Sequence, residues 1–513
     1  MKRLIASPYL IAFLAGTGAV FGFAPYGIFP LPILALAALF WLWNRAERPA
    51  QAAWLGFAFG MGFFCTGVSW IYVALHDYGY MHPILAALAT ALFAAVNSTL
   101  PAAAGYAQAK LKPFVVSLSN HEQPPFDGLR ANGAWILLVM PAIWTLTEWL
   151  RGLLFTGFPW LSVGYSQVPN SPLTGYAPLL GVFGVSLIVA ASAGLLLVVR
   201  KERWNRSGKI ALTMLLIVWA GGAVLRGVAW TQPQGTPLKV SLLQGNIPQD
   251  TKFLDEALVG TLETYRRLAQ SSDARLIVMP ETALPVLRHN VPDMYETILR
   301  DHARKNGGDI LVGAFEKEDD NYYNSVYSLG SAESQHYRKN HLVPFGEFIP
   351  LRFALGWFIN DVLNIPMGDL TSGGASQAPL NVAGQKVAVN ICYEDAFGEE
   401  IIHALPQATL LVNVTNDAWY GDSNAAMQHN QLSQMRALET GRMMLRATNT
   451  GVTSVIGVDG RIQAMLPQHE EGVLTAGVRG YEGRTPYVVW GNWGMLVLVG
   501  LMLGAAWRIG HRK

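Results

Sequence analysis

Three side chains of complementary chemistry stand in the second half of the chain. Cys392 ends the apolar run VAVNIC and is followed by Tyr393, Glu394 and Asp395. Glu281 follows the run RLIVMP, and in VMPETALP it has Pro280 and Pro285 on either side, which stiffens the backbone around it. Lys339 lies in HYRKNHLVPFGEFIP, where Glu347 follows after a Pro-Phe-Gly turn. A thiol, a carboxylate and an ammonium suit acyl transfer. The carboxylate takes the thiol proton, the thiolate attacks a carbonyl and a thioester forms. The ammonium stabilises the developing oxyanion. Each residue also has an ordinary explanation. Buried cysteines are mostly small core residues, an acid after a strand is mostly solvated, and charges on an edge strand protect that edge. The set of three is what points to chemistry. No His and Cys spacing suited to a metal and no Gly-rich phosphate loop competes with it, so neither metal nor cofactor is expected.

These residues need a scaffold, and the region of about 236–482 has soluble composition and alternating strand and helix patterns. Strands are expected at 238–244, 275–280, 309–315, 322–329, 336–343, 386–394, 408–416 and 453–458, with helical text at 254–270 and 292–306. Such interleaving indicates a layered α/β domain. Strand ends are where such folds place reactive groups, and both Glu281 and Cys392 follow strands.

The rest of the chain is different. The protein has 513 residues, of which 51% are hydrophobic and only 14% charged, with mean hydropathy +0.26. A soluble protein carries about 25% charged residues, so a membrane part is required. The net charge of +2 gives no electrostatic case for nucleic-acid binding. Apolar stretches recur at about 5–23, 28–43, 53–74, 83–108, 133–150, 177–199, 210–228 and 487–507. Lys and Arg collect at the N-terminus, at Arg45 and Arg48, at Lys110, Lys112 and Arg130, at 200–209 and at the C-terminus. That alternation fits eight spans with both ends in the cytoplasm and the large domain on the far side. Glu148 and Arg151, near a span end, read equally as a functional site or as an (i, i+3) pair at the interface. Residues 113–133 read as an irregular insertion. The two cysteines, Cys65 and Cys392, exclude a disulfide framework.

The runs PETALP, YRKNHLVPFGE and NICYED, in this order, resemble the Glu-Lys-Cys motifs of the nitrilase (carbon–nitrogen hydrolase) superfamily. Together with the spans and with LLQGNIPQ, VTNDAWYG and GFPWLSVGYSQ, they resemble the apolipoprotein N-acyltransferase family over nearly the whole chain. Phe253 stands where many members carry Trp. The resemblance implies roles: Glu281 as general base, Lys339 as oxyanion-stabilising cation and Cys392 as the nucleophile that carries the acyl group. It implies that Glu347 supports the triad and that Tyr393 and Glu394 shape the site. The implied fold is an αββα sandwich on a bundle of eight membrane helices. The implied domains are 1–230 with seven spans, a periplasmic catalytic domain at 231–482, and an eighth span with a cytoplasmic tail at 483–513. The implied reaction moves the sn-1 acyl chain of a phospholipid, by two-step ping-pong chemistry, to the α-amino group of the diacylglyceryl-cysteine of an apolipoprotein. The protein is expected as a monomer in the bacterial inner membrane.

Residues 350–366, PLRFALGWFINDVLNIP, carry nine large apolar residues among two charges. They form either a core helix or an arm whose Trp357 and Phe358 dip into lipid and guide substrate. Two rival functions stay open on the residues alone: a membrane-tethered amidase that uses water on a soluble amide, and a transporter whose large loop only binds. The many spans and the apolar arm favour a lipid substrate. The scarcity of ionisable residues in the spans speaks against transport.

Overall fold

The computed structural model describes residues 7–116, 133, 135–202, 205–349 and 370–511. Two compact units make up the chain. One comprises Met1–Tyr72, Ile84–Val228 and Trp490–Lys513, and the other Val73–Pro83 and Ala229–Val489.

In the first unit each apolar stretch is helical, with helices at Pro8–Val20, Pro30–Arg45, Pro49–Gly67, Pro83–Val116, Met140–Arg151, Ala177–Glu202, Arg206–Leu225 and Trp493–His511. Helices 8–20 and 49–67 touch backbone to backbone. A Cβ at Gly16 would lie 2.0 Å from the Phe59 carbonyl oxygen, and one at Gly62 2.0 Å from that of Phe13, so only glycine permits this spacing. The expectation of eight spans is not met by length. Among the described residues three helices are long and apolar enough to cross a membrane, Pro83–Lys112, Pro172–Glu202 and Arg206–Leu225. A fourth arises if Pro49–Gly67 and Trp70–Tyr78, bent by 52°, form one span. Prolines stand in the first turn of the helices that begin at Pro8, Pro30 and Pro49. The 13 residues of Pro8–Val20 then reach only about 20 Å, against roughly 30 Å of hydrocarbon.

The helix from Pro83 continues to Val116, so the first four residues of the segment expected to be irregular are helical; residues 117–132 lie outside the described residues. Glu148 and Arg151 are buried and do more than pair at an interface. Arg151 donates to the carbonyl oxygens of Phe158 and Trp160, both at 2.5 Å, and Glu148 accepts from the Val163 N–H at 3.0 Å. The two charges hold the loop around Trp160.

The second unit holds two sheets. The first comprises β1 (Thr231–Gln244), β2 (Leu276–Val278), β3 (Leu284–Leu287), β4 (Asp309–Glu318), β5 (Asn321–Gly330), β6 (His336–Arg338) and β13 (Gly472–Gly483). Its order is β13-β1-β2-β4-β5-β6, with β3 also on β4. The second comprises β7 (Leu380–Val382), β8 (Gln385–Ile391), β9 (Leu410–Thr415), β10 (Met444–Thr448), β11 (Ser454–Ile456) and β12 (Ile462–Met465), in the order β12-β11-β10-β9-β8-β7. The central strands are parallel, β1 with β2 and β4, and β8 with β9 and β10.

Alternation along these strands builds the layers. Leu243, Ile277, Met279, Ile310 and Val312 pack on Tyr265, Leu268, Tyr295 and Leu299 of helices Asp255–Gln270 and Asp293–Lys305. Their neighbours Leu242, Val278 and Leu311 are equally buried and face the other way. In the second sheet Ala388, Leu411 and Met444 pack with Ile401 and with Ala437 of helix Ala425–Thr440. Sheets buried on both faces explain why these strands read as continuous apolar runs.

The strand expected at 336–343 stops at Arg338. The N–H groups of Asn340 and His341 donate instead to Glu394 Oε1, at 2.7 and 3.0 Å, so a carboxylate has taken the place of a ladder partner.

Candidate active site

Glu281 sits in a break between β2 and β3. Both strands pair with β4, and Pro280–Thr282 crosses over Gly313 between them. A Cβ at Gly313 would lie 2.3 Å from the Pro280 oxygen and 3.0 Å from Glu281 Cα. Thr282 has φ +50°, a left-handed conformation that costs about 1–2 kcal/mol away from glycine. The glycine and this turn, more than the flanking prolines, aim the carboxylate. Its Oε1 accepts from Asn324 Nδ2 at 2.7 Å and its Oε2 from the Asn416 N–H at 2.8 Å.

Lys339 follows β6 directly and is buried. Its Nζ is 2.9 Å from Glu347 Oε1 and 3.8 Å from Glu281 Oε1. Burial lowers the affinity of Lys339 for its proton, but Glu347, Glu281 and Cys392 outweigh it and push its pKa up. Lys339 is therefore a permanent ammonium. Glu347 shares the amide of Asn324, at 3.3 Å, and accepts from the Val343 N–H at 2.8 Å.

Cys392 is the first residue beyond β8 and has φ +55°. A short helical turn, Cys392–Ala396, begins there. Asn413 Nδ2 and His429 Nε2 lie 3.1 and 3.2 Å from the Cys392 carbonyl oxygen and hold it in that orientation. Burial, then the charge of Glu281, push the thiol pKa well up, while Lys339 pulls it down. At neutral pH the residue is a thiol, so it needs a base to become a nucleophile. The structure thus brings Glu281, Lys339, Glu347 and Cys392 into one buried cluster.

Glu394 is a clip between the lysine and cysteine segments. It accepts from the N–H groups of Ile391 (2.6 Å), Asn340 and His341, and from the Tyr337 hydroxyl at 3.0 Å. Burial raises its pKa to about 7 against those bonds. Tyr393 is buried and packs edge-on to Phe397, with centroids 5.1 Å apart. Trp357 and Phe358 lie outside the described residues.

The sequence reading missed several members of the site. Asn324 and Asn416 orient both carboxylates, yet each is one polar residue in a strand or turn with no local signal. It also missed a four-charge network under the cysteine turn. His429 lies 2.8 Å from Asp417 and 3.0 Å from Asp395, and Arg446 is 3.0 Å from each of the two aspartates. Lys252, close to Glu281 and fully buried, was missed as well.

The network predicts a pH dependence of stability. Burial and Arg446 lower the His429 pKa, but Asp395 and Asp417 overcome them and raise it from about 6.5 to about 9. Asp417 is held near 2, burial being outweighed by His429 and Arg446, and stays charged throughout. A raised histidine pKa stabilises fully below about pH 6.5, and that contribution is lost as pH rises through about 9. The loss is on the order of 3 kcal/mol. The thermal midpoint of the detergent-solubilised protein should fall between pH 6.5 and 9.5, and the His429→Gln variant should lack that fall. A His429→Gln profile that runs parallel to the wild type would show the imidazole to be neutral.

Among the described residues no group of three or more His, Cys, Asp or Glu is placed to hold a metal ion. The family model for the apolipoprotein N-acyltransferase N-terminal domain matches residues 15–195, and the carbon-nitrogen hydrolase model matches residues 239–487. The chain is 49% identical over 503 residues to the apolipoprotein N-acyltransferase of Nitrosomonas europaea, covering 98% of this chain and 96% of that protein. It is 44% identical to those of Methylococcus capsulatus, covering 96% of this chain and 95% of that one, and Ralstonia nicotianae, covering 94% and 90%.

Proposed function

The chain belongs to the apolipoprotein N-acyltransferase family and is an N-acyltransferase, and from that premise we propose that it acylates lipoproteins through a thioester on Cys392. In this reading Glu281 takes the thiol proton and the sulfur attacks the sn-1 ester carbonyl of a phospholipid. The oxyanion faces the Lys339 ammonium, with Glu347 holding that ammonium in place. Collapse expels the lysophospholipid oxygen, which takes the proton back from Glu281, and leaves the acyl group on sulfur. The α-amino group of a diacylglyceryl-cysteine, entering as the free amine, then attacks the thioester. Glu281 takes its proton and returns it to the departing thiolate. Tyr393 and Glu394 keep the cysteine turn in register with the lysine segment.

The observation that carries this reading is the burial of all three reacting groups together. A thiol raised by burial needs the adjacent carboxylate, and a buried thioester is shielded from hydrolysis. The test is intact mass after incubation with phospholipid and no acceptor. A hydroxylamine-sensitive gain of one acyl group is expected. Release of free fatty acid with no adduct would favour the water-using amidase.

The same reading makes the protein a monomer of the bacterial inner membrane, with eight spans, both termini cytoplasmic, and residues 231–482 periplasmic between the domains at 1–230 and 483–513. Reporter fusions ending at residue 350 and at residue 513 should score on opposite sides, and equal sidedness would refute it. The apolar run 350–366 guides lipid to the cysteine. Replacing both Trp357 and Phe358 with Ser should lower turnover on phospholipid about 10-fold, as expected for loss of roughly 1–2 kcal/mol of apolar contact. Unchanged turnover in a folded double variant would remove the arm from the mechanism.

A further inference from the structure

Glu281 has a second cation beside it. Lys252 is fully buried, at 0% exposure, in the turn that follows LLQGNIPQ. Its Nζ donates to the backbone carbonyl oxygen of Glu281 at 3.3 Å. The same turn reaches the other end of Glu281, because Gln249 Oε1 accepts from Asn416 Nδ2 at 2.7 Å while the Asn416 N–H holds Glu281 Oε2. A single turn thus grips the main chain of the base directly and its carboxylate through one asparagine.

Charge balance gives the lysine a second role. Lys339 lies closer to Glu347 than to Glu281, so one ammonium is shared by two buried carboxylates. The Asp395, Asp417, His429 and Arg446 network is neutral overall, although the Asp417 charge is felt at Cys392. With Lys252 protonated, the two carboxylates face two ammonium groups. The balance persists when the thiol proton passes to Glu281 and the negative charge moves to sulfur. An uncompensated charge in such a buried site is expensive.

We propose that Lys252 is a positioning residue for the acyl transfer: its ammonium tethers the backbone of Glu281 and supplies the counter-charge that keeps this carboxylate ionised and able to take the Cys392 proton. Burial lowers the Lys252 pKa to about 8 and Glu281 opposes that shift, so the lysine is charged at neutral pH. Among the described residues the other groups that face Glu281 are Lys339 after β6, Glu347 through the Asn324 amide, Cys392 after β8 and Tyr420 in the turn after β9. Only the two lysines among them carry positive charge.

The inference rests on the thioester reading, and one assay separates the two. The rate of acyl-enzyme formation from phospholipid is measured by intact mass from pH 5 to 9 on the full-length protein in detergent. Lys252→Gln keeps an N–H donor for the Glu281 carbonyl without the charge, whereas Lys252→Arg keeps the charge. In the Gln variant the acidic limb of the rate should move up by about one pH unit. Its rate at pH 7 should fall about 10-fold, with the half-saturating phospholipid concentration unchanged. The Arg variant should restore the limb. A limb unmoved in a Gln variant with wild-type thermal midpoint would overturn the proposal, as would an Arg variant that behaves like Gln. If Gln does not fold, the wild-type and Arg limbs are compared, and a limb displaced upward in Arg overturns it. Absence of any adduct in the wild type would instead refute the thioester reading.

Discussion

Cys392→Ala is expected to abolish the acyl adduct and to lower lipoprotein acylation by at least about 10⁴-fold. Loss of a covalent nucleophile removes the first step outright, and what remains is binding and oxyanion stabilisation. The fold should hardly notice. Alanine keeps the Cβ and sits at the same φ of +55°. The turn is held through the Cys392 carbonyl, by Asn413 and His429, and not through sulfur. The thermal midpoint should stay within about 2 °C of wild type, since losing one small sulfur costs on the order of 1 kcal/mol or less. Cys392→Ser tests the base as well. A hydroxyl is harder to deprotonate than a thiol, so serine should form at most a trace of oxygen ester. Acylation retained in either variant would place the nucleophile elsewhere.

Lys339→Met is expected to lower acyl-enzyme formation about 10³-fold and stability by about 3–5 kcal/mol, for two separable reasons. The catalytic loss is that of a donor aimed at a developing oxyanion. The stability loss arises because Glu281 and Glu347 stay buried, bridged by the single amide of Asn324, with their shared cation gone. The double variant Lys339→Met, Glu347→Gln removes one of the stranded charges. Its thermal midpoint should recover most of the loss while its acylation rate stays low. Recovery of both together would reduce the ammonium to a structural part.

The site was partly legible in local text because three of its motifs are strand ends. A run such as VAVNI is buried on both faces of a sheet, so the residue after it emerges at the end of the strand, where Cys392 is found. The same holds for RLIVMP and Glu281. The strand at 336–343 was overextended because nothing nearby reveals that Glu394, more than fifty residues on, takes the N–H groups of Asn340 and His341. Strands β3, β7, β10, β12 and β13 were missed. Met444–Thr448 is short, and Gly472–Gly483 carries glycine and charge along a sheet edge, so neither shows a clean period. Among the described residues the eight apolar stretches form helices, but hydropathy counts apolar residues and does not measure the length of unbroken helix they make.

By itself the sequence determined the two-part character of the chain, the layered α/β scaffold, and the residue types able to transfer an acyl group. These are properties of composition and of periods of 2 and 3.6 residues, which describe what a segment buries. Only the tertiary structure decided what the buried groups meet. Asn324 spans two carboxylates, Lys252 grips the base from a turn 29 residues away, and His429 and Arg446 close a charge network under the cysteine. Hydrogen bonds and ion pairs in a low-dielectric interior act over about 3 Å of space, and that distance is set by how the strands and helices cross.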